Sequence, residues 1–371
     1  MITPRYGEST LADLLPAVGA HLGGPGLSSD PLDLPNARRY VVIVVDGLGL
    51  QLVERKLRIA PYLADLTGRG SRLTSAVPST TVTSLTCLGT GVPPGQHGMV
   101  GWTARVPQTG EILNHLFWES ALVPEQFQTL PTLFDLLRGD GVAVTTISLG
   151  RFADSGLTRA ALRGAEFSGF ADENDHEGRA ELVAKASRSG ERSLVYAYER
   201  RLDHAGHGHG VASPDWSKAL SMADDFCAAV REQLDDDVRL IITGDHGMID
   251  VPDDHRIVAE DHPDLMAGVT TFAGEGRFRQ IYVDHDQPEA VAARWRDRMA
   301  DRAWVRTRDE AIEEGWFGPV DDRVRERYGH VLVAMRDDWA VMTRQMEREM
   351  GLTGMHGSLT EAEMVVPLFI D

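Results

Sequence analysis

The sequence predicts an α/β fold in which a mostly parallel central sheet lies between layers of helices. Two runs of largely β-branched residues, 40–45 and 238–243, are continuous rather than alternating, which is typical of strands buried on both faces. Each run leads into an acidic residue, Asp46 after the first and Asp245 after the second. Because ligands bind beyond the carboxyl ends of strands in open α/β sheets, both residues are candidates for a site. A turn role, which Asp-Gly chemistry also favours, is the alternative for Asp46.

The composition is that of an ordinary globular protein. Of the 371 residues, 42% are hydrophobic and 25% are charged, which excludes extended disorder. This length fits two average domains or one large domain. We expect a single domain over 1–371, with a probable α+β insertion or lid at 251–351, where the pattern of elements becomes mixed.

Charge and terminal sequence limit the partners and the location. A formal charge of -19 excludes a long nucleic-acid partner, because lysine and arginine chiefly hold a phosphate backbone. No stretch approaches about eighteen uninterrupted apolar residues, so no membrane partner is expected. The N-terminus lacks a basic segment, an apolar run and a cleavage site, and we expect a cytoplasmic protein. Cys87 and Cys227 are too few for a disulfide framework and are expected to be buried.

The other elements follow in chain order. Residues 53–67 have the apolar spacing of a helix, and a short strand is expected at 72–76. Residues 102–117 contain Pro107 and Gly110 and are expected to form a hairpin or a loop over the sheet edge. The less regular segment 150–170 is expected to form a small lid. Further strands are expected at 142–148, 193–199, 279–284, 331–335 and 365–370, and further helices at 132–138, 182–189, 222–234, 289–299 and 308–314.

The stretch 77–99, VPSTTVTSLTCLGTGVPPGQHGM, is the centre of the predicted site. Ser79, Thr80 and Thr81 precede the apolar-periodic segment that starts at Val82, so they mark the beginning of a helix. The free N–H groups and partial positive charge at a helix N-terminus ease deprotonation of a hydroxyl and attract an anion such as phosphate. One of these hydroxyls is therefore a candidate nucleophile. The alternative is that Ser79 or Thr80 only caps the helix.

Strand 193–199 leads into the histidine-rich sequence RLDHAGHGHG. Asp203 and His207 are four residues apart, a spacing that places two side chains on one side of a helical turn. This clustering favours a metal site over a solvated turn, although His204 and His209 compete with His207 for the role of ligand.

Two more histidines lie beside glycines. In TGDHGM, Gly244 and Gly247 permit a sharp turn, so the side chains of Asp245 and His246 can converge on one point. In GMHGSL, at 354–359, His356 stands between flexible residues.

These residues form a candidate metal-ligand set whose composition points to zinc. Three carboxylates with three imidazoles suit zinc or a similar transition ion better than magnesium or calcium, which prefer oxygen ligands. Six ligands are more than one catalytic zinc with an open position needs, so we infer two zinc ions. Two divalent ions together with three carboxylates carry about one net positive charge, so the site can accept a phosphate anion. The ions can also activate an alcohol as the nucleophile. The six ligands are Asp46, Asp203, His207, Asp245, His246 and His356.

Five motifs in order, VVDG, the 77–99 stretch, LDHAGHGHG, TGDHGM and GMHG, resemble the nucleotide pyrophosphatase/phosphodiesterase branch of the alkaline phosphatase superfamily. The resemblance covers most of the chain. It implies an alkaline-phosphatase-like fold and a two-zinc hydrolase with a phospho-enzyme intermediate. It selects Thr81 as the nucleophile and implies the division of the ligands. One zinc would be held by Asp46, Thr81, Asp245 and His246, and the other by Asp203, His207 and His356.

The sequence departs from the family pattern at two places. In the family, an aromatic-Pro-Asn run follows the nucleophile, and its aromatic residue helps to stack a nucleobase. In this chain, Val82, Thr83 and Ser84 follow Thr81 instead. Beyond His97-Gly98 the family has a phosphate-binding asparagine, whereas this chain has Trp102. Trp102 and Asn114 are therefore the candidate substrate-binding residues, with Asn114 as the replacement donor. Both departures weaken the case for a nucleotide substrate and leave the metal ligands unchanged.

The predicted activity is hydrolysis of a small phosphodiester or nucleotide-like pyrophosphate. A phosphomonoesterase or phosphonate hydrolase of the same superfamily is the nearest alternative. A sulfatase is disfavoured because no cysteine or serine stands in the sulfatase signature setting. The alternative from a different class is a metal-stabilised binding module without turnover.

Overall fold

A seven-stranded sheet forms the centre of the computed structural model, which describes residues 1–283 and 287–371. The predicted end of strand 279–284, Asp284, lies outside the described residues. The strands are β1 Arg39–Val45, β2 Ser71–Thr74, β3 Thr103–Arg105, β4 Ile112–Asn114, β5 Ala143–Leu149, β6 Glu166–Phe170, β7 Ser193–Glu199, β8 Val238–Thr243, β9 Ile249–Asp250, β10 Arg256–Val258, β11 Val269–Glu275, β12 Phe278–Val283, β13 Ala303–Thr307, β14 Val331–Met335, β15 Ala340–Met342, β16 Gly354–Met355 and β17 Val365–Ile370.

The helices of the described residues flank these strands. They are α1 Leu11–His21, α2 Leu50–Arg55, α3 Pro61–Thr67, α4 Thr81–Thr90, α5 Pro94–His97, α6 Pro124–Phe127, α7 Leu133–Gly139, α8 Gly156–Ala161, α9 His176–Ser187, α10 Arg201–His209, α11 Pro214–Gln233, α12 Pro263–Met266, α13 Pro288–Met299, α14 Arg308–Glu313, α15 Asp322–Arg325 and α16 Glu361–Met364.

The order of the large sheet is β2-β17-β8-β1-β7-β5-β6. Strands β8, β1, β7, β5 and β6 pair in parallel, while β17 pairs antiparallel with both β8 and β2. The predicted fold, a mostly parallel sheet between helical layers, is therefore confirmed. Since β1 lies between β7 and β8, the chain segments that follow these three strands emerge next to each other at one edge.

Alternate residues of β1 bury themselves in two separate cores. Tyr40, Val42 and Val44 pack on one side of the sheet, with residues of α1, α4, α7 and α8. Val41, Ile43 and Val45 pack on the other side, with residues of α2, α3, α9 and α11. Burial on both faces explains why the strand reads as a continuous apolar run.

A second, four-stranded antiparallel sheet, β11-β12-β14-β13, lies within the segment predicted as an α+β insertion. Its core includes Phe272, Ile281, Trp295 and Val333. Strand β11 was not predicted from the sequence. Near the end of β11, before the chain turns back into β12, Gly274 has a φ of +80°, which favours glycine. Glu275 follows it beside the turn.

The structure corrects several predicted boundaries. The single helix predicted at 53–67 is wrong, because Pro61 starts a new helix and the chain turns between α2 and α3. Helix α11 begins eight residues before the predicted Met222, at Pro214, where the Ser213 hydroxyl accepts the Trp216 N–H. Helix α9 begins at His176 rather than 182, after the Asp175 cap.

The segment around 102–117 and the predicted lid differ in outcome. Strands β3 and β4 pair antiparallel, so the predicted hairpin is confirmed. Within 150–170 the chain forms α8 and then β6, which pairs in parallel with β5 at the edge of the large sheet. The irregular segment therefore contains a sheet strand, which its glycines and polar residues concealed.

Candidate metal centre

Three acidic side chains meet where β1, β7 and β8 end. Asp46 follows β1 directly, and its backbone N–H donates to the Glu199 carbonyl at 2.8 Å. Asp203 lies in α10, which follows β7, and its N–H donates to the Asp46 carbonyl at 3.1 Å. Asp245 follows β8, and its Oδ1 accepts the Gly47 N–H at 3.0 Å. These backbone links bring carboxylates from distant parts of the sequence to one edge of the sheet.

Three histidines complete what we call the carboxylate–histidine cluster: Asp46, Asp203, His207, Asp245, His246 and His356. The Nε2 of His246 lies 3.3 Å from Asp46 Oδ1 and 3.6 Å from Asp245 Oδ2. The Nε2 of His207 lies 3.3 Å from Asp203 Oδ1, across one turn of α10. The Nε2 of His356 lies 3.2 Å from His207 Nε2 and 3.7 Å from Asp203 Oδ1. All six predicted Asp and His residues are thus gathered in one place.

Each histidine of the cluster uses its other ring nitrogen on a backbone carbonyl. The Nδ1 atoms of His207, His246 and His356 lie 2.8 to 2.9 Å from the carbonyl oxygens of Gly354, Gly247 and Ser79, respectively. Because a carbonyl oxygen only accepts, each Nδ1 carries the proton, and a neutral ring then presents a lone pair at Nε2. Histidines that ligate metals are held in this way. The two facing lone pairs of His207 and His356 are then suited to a shared cation.

Three carboxylate oxygens in the cluster have no hydrogen-bond partner within the described residues. They are Asp46 Oδ1, Asp203 Oδ1 and Asp245 Oδ2. Asp46 is only 4% exposed and Asp245 is fully buried. Burial, followed by repulsion from Asp203 and Asp245, raises the pKa of Asp46 well above its usual value, and burial also raises the pKa of Asp245. Buried, unpaired carboxylates are costly, and a cation bound between them would offset that cost.

The geometry of the cluster fits metal binding. Two groups have ligand atoms within 4.8 Å of one another, namely Asp203 with His207 and His356, and Asp46 with Asp203 and His246. Asp203 belongs to both groups, whereas the resemblance assigned it to one ion. Burial and the neighbouring His246 and His207 lower the pKa of His356 well below its usual value, which keeps that ring neutral as a metal ligand requires.

Among the three candidate hydroxyls, Thr81 lies nearest the cluster. Its Oγ1 is 3.2 Å from His246 Nε2, and it is the first residue of α4. Thr80 is the N-cap residue, but its side chain makes no capping hydrogen bond. The Ser79 hydroxyl donates to the Ser358 carbonyl at 2.7 Å and is thereby occupied. The local geometry therefore favours Thr81 as the residue that faces the cluster.

The competing histidines and the two candidate substrate-binding residues lie in different places. His204 and His209 are exposed, and neither belongs to the two potential metal groups. Trp102 lines the cavity described below. Asn114 is not among the residues that line that cavity in the described part of the chain. Its Oδ1 instead accepts the N–H groups of Leu116 and Phe117, at 3.0 and 3.1 Å, and so stabilises its own turn.

A cavity of about 550 Å³ opens beside the cluster. Asp46, Thr81, Asp203, His207 and His356 line one end of it. The rest of its wall is largely apolar and comes mainly from α4, the 152–167 segment and the β3–β4 hairpin. The apolar lining residues include Leu85, Leu116, Phe117, Phe152, Leu157, Leu162, Phe167, Leu352 and Met355.

Two residues at the cluster were missed by sequence reasoning. The Tyr198 hydroxyl donates to Asp46 Oδ2. The alternating pattern of strand 193–199 places Tyr196 and Tyr198 on the same face of β7, which is a signal that could have found them. Glu275 lines the cavity from the end of β11, and no local pattern marks it because its neighbours in space are remote in sequence.

The model of the family "Type I phosphodiesterase / nucleotide pyrophosphatase" matches residues 40–359. The chain belongs to this family. The match includes the cluster, the cavity and every strand of the large sheet except β17, and membership indicates a hydrolase of phosphate esters.

Solved structures of similar fold agree with the family assignment. Murine ectonucleotide pyrophosphatase / phosphodiesterase 5 matches with a TM-score of 0.70 and 16% identity, over 89% of this chain and 87% of that chain. Phosphonoacetate hydrolase from Sinorhizobium meliloti, in complex with phosphonoformate, matches with a TM-score of 0.69 and 18% identity, over 91% of this chain and 90% of that chain. At these identities, the likeness establishes the alkaline-phosphatase-like fold.

A curated relative shares a short segment. The catalytic subunit of human GPI ethanolamine phosphate transferase 3 is 40% identical over 60 residues, which are 16% of this chain and 6% of that protein. The chain therefore matches only a small part of that protein's length. Among the described residues, no helix is both long and apolar enough to span a membrane.

Proposed function

We propose that this member of the family is a phosphodiesterase that binds two zinc ions and uses Thr81 as its nucleophile. The observation that carries the proposal is the cluster itself. Three histidines, each with its Nδ1 on a backbone carbonyl, direct Nε2 towards three carboxylates, and each carboxylate has one oxygen without a hydrogen-bond partner among the described residues. This donor set of nitrogen and oxygen suits zinc.

The ligands would be divided as the resemblance implies. One zinc would be held by Asp46, Thr81, Asp245 and His246, and the other by Asp203, His207 and His356. Asp203 also lies near Asp46 and His246 of the first group. When bound, zinc would lower the pKa of an alcohol and offset the negative charge of a phosphate.

Thr81 is positioned for attack on phosphorus. It lies at the N-terminus of a ten-residue helix, where free N–H groups and the helix dipole favour an anion. Its oxygen would form a bond to phosphorus as the bond to the leaving alcohol breaks, and the alcohol would leave with the bonding electrons and take up a proton. Water would then cleave the phosphothreonine, which releases the second product and restores the hydroxyl.

The apolar wall of the cavity favours a diester over the alternatives. A diester retains an organic group on each side of phosphorus, and the largely apolar wall beside the cluster offers such a group a desolvated place. The second substituent of a small anionic phosphonate would gain little there, because burying a charge against leucine and phenylalanine is unfavourable. One structural neighbour supports the choice of a threonine nucleophile, since a threonine-to-alanine variant of the murine protein is described as inactive and was solved in complex with AMP.

The test of the nucleophile is Thr81→Ala. We expect hydrolysis of bis(p-nitrophenyl) phosphate to fall to background, by roughly a thousandfold or more, while zinc content stays near about two ions per chain. The matched control is Thr83→Val, which removes a buried hydroxyl without a partner from the same helix and should leave turnover nearly unchanged. Full activity in the Thr81 variant would refute the assignment.

The test of substrate class compares bis(p-nitrophenyl) phosphate with p-nitrophenyl phosphate on the zinc-loaded protein. A diesterase hydrolyses the first with the higher kcat/KM. A higher kcat/KM for the monoester would instead support the phosphomonoesterase alternative. A protein that gains stability from zinc but hydrolyses neither compound would be a binding module.

A further inference from the structure

Glu275 is a buried carboxyl group that the second sheet delivers into the cavity. It is 7% exposed and follows Gly274 at the turn between β11 and β12. It lines the cavity together with Thr80, Thr81 and His356. This residue is therefore the contribution of the smaller sheet to a site that is otherwise built at the edge of the large sheet.

Three remote segments fix the position of the Glu275 side chain. Its Oε2 accepts the Trp102 N–H at 3.1 Å. Its Cγ would lie 2.7 Å from a Cβ atom at Gly357, so only glycine permits this contact beside His356. Gly357 also has a φ of +129°, which favours glycine independently. The third segment is 77–99, from which the Thr80 side chain interacts with the Glu275 carboxylate and lowers the pKa of Glu275.

The remaining oxygen, Glu275 Oε1, has no hydrogen-bond partner among the described residues. The two nearby arginines are committed elsewhere. Arg277 pairs with Glu363 at 2.7 Å, and Arg279 pairs with Glu349 at 2.5 Å. A buried carboxyl oxygen that accepts no hydrogen bond from the described residues, beside a cavity, points to a ligand group that satisfies it.

The charge state of Glu275 decides which ligand atom it can contact. An ionised carboxylate only accepts hydrogen bonds and would repel a phosphate anion, whereas a neutral carboxyl group carries one O–H donor. Burial, and then the nearby Glu349, raise the pKa of Glu275 to about 8, while the Trp102 N–H, Thr80 and Arg279 act in the opposite direction. Because Oε2 already accepts the Trp102 N–H, a proton on this carboxyl group would lie on Oε1.

We infer that Glu275 contacts the substrate as a neutral acid, with Oε1–H donating a hydrogen bond to a phosphoryl oxygen at the Thr81 end of the cavity. This inference rests on the proposed function, because it requires the cavity to receive a phosphate ester. Glu275 would then supply the phosphate donor that sequence reasoning sought at Asn114, whose side chain is occupied in its own turn.

The experiment compares Glu275→Gln with Glu275→Ala in the zinc-loaded protein. Glutamine keeps the shape and a permanent neutral donor, whereas alanine removes the donor. The first measurement is binding of inorganic phosphate by calorimetry, which does not depend on turnover. We expect the alanine variant to bind phosphate about tenfold or more weakly, and the glutamine variant to bind within about threefold of the wild type.

A second measurement is hydrolysis of bis(p-nitrophenyl) phosphate as a function of pH. We expect kcat/KM of the alanine variant to fall by about a hundredfold or more, as for loss of a donor to the transition state, and the glutamine variant to stay within about tenfold. The wild type should lose this contribution at high pH, where Glu275 ionises, whereas the glutamine variant should keep it.

Several outcomes would overturn the role of Glu275. Equal phosphate affinity in the wild type and both variants would show that Glu275 does not bind phosphate. A glutamine variant as defective as the alanine variant would show that the carboxylate form is required. If the alanine variant does not fold, the comparison of wild type with the glutamine variant across pH still decides the question. Failure of the proposed function is a different result, namely a wild type that binds phosphate but hydrolyses no diester.

Discussion

Asp46 and Glu199 end neighbouring strands, and their buried carboxylates meet opposite surroundings. Glu199, 1% exposed, pairs with Arg179 at 2.7 Å and with Arg201 at 2.8 Å. Burial would raise the pKa of Glu199, but Arg201 and Arg179 outweigh it, and the pKa is lowered. Asp46 instead faces Asp203 and Asp245, and its pKa is raised. Glu199 is satisfied within the chain, whereas Asp46 keeps one carboxylate oxygen without a hydrogen-bond partner among the described residues.

The contrast separates structural from functional buried charge. Around Glu199, the guanidinium of Arg179 also lies over the rings of Phe170 and Phe226, at 4.5 and 4.1 Å, so the network is packed as well as paired. The carboxylate–histidine cluster keeps three oxygens unpartnered beside a cavity. Carboxylates with perturbed pKa values in a cleft are expected at functional sites. The network of Glu199, Arg179 and Arg201 shows the contrasting case, in which a buried charge has a structural role.

The largest expected effect on this contrast is that of metal removal. Treatment with a chelator should reduce diester hydrolysis by roughly a thousandfold or more, because bound metal supplies several kcal/mol of transition-state stabilisation. Addition of zinc should restore activity, while addition of magnesium should not, since half of the ligands are imidazoles. Activity that persists in protein shown by metal analysis to be free of zinc would contradict this account.

The next effect concerns the network in which Glu199 pairs with Arg179 and Arg201. Glu199→Ala should lower the free energy of unfolding by about 3–5 kcal/mol, because it leaves two guanidinium groups without their shared partner. Denaturant unfolding of the zinc-loaded protein measures this change. The variant should still bind about two zinc ions per chain.

A surface pair gives the control for that variant. Arg38 and Glu191 lie 3.2 Å apart, with side chains 69% and 89% exposed. Glu191→Ala should therefore change the free energy of unfolding by less than about 1 kcal/mol. Equal losses from both alanine variants would mean that the Glu199 network is not a special source of stability.

The last effect is the pH dependence of the metal-free protein. The pKa values of Asp46 and Asp245 are raised in the folded state, so the folded protein binds more protons than the unfolded chain above the usual carboxyl range. The free energy of unfolding should therefore fall as the pH rises above the usual carboxyl range, by up to about 1.4 kcal/mol per pH unit for each group.

Asp245→Asn sharpens this test. The asparagine oxygen can still accept from the Gly47 and His246 N–H groups, but one titrating group is removed and the repulsion on Asp46 is relieved. The slope of unfolding free energy against pH should become shallower in urea titrations of the chelator-treated variant. A slope that is unchanged, or that has the opposite sign in the wild type, would count against the unpaired character of the cluster.

The sequence predicted the arrangement of this site better than its surroundings. Asp46 and Asp245 follow continuous apolar runs, and parallel strands place such residues at one edge, so their proximity follows from the fold. The four-residue spacing of Asp203 and His207 likewise predicts one face of α10. Local rules suffice where the site is built from strand ends and one helical turn.

What the sequence did not reveal depends on contacts between remote segments. Glu275 is placed by the turn after β11, by Trp102 and by Gly357, and none of these is its neighbour along the chain. The proposed substrate role of Asn114 depended on the direction of one side chain, which hydrogen bonds in its own turn determine. The early start of α11 was marked by Ser213 and Pro214, a signal that the apolar pattern from Met222 onwards obscured.

The most direct test of the central claim is a crystal structure of the zinc-loaded protein with anomalous scattering recorded at the zinc edge. We expect two zinc peaks within the cluster, one beside Thr81 and His246 and the other beside His207 and His356. A single peak, or peaks outside the cluster while Asp46, Asp203 and Asp245 remain unpartnered, would contradict it.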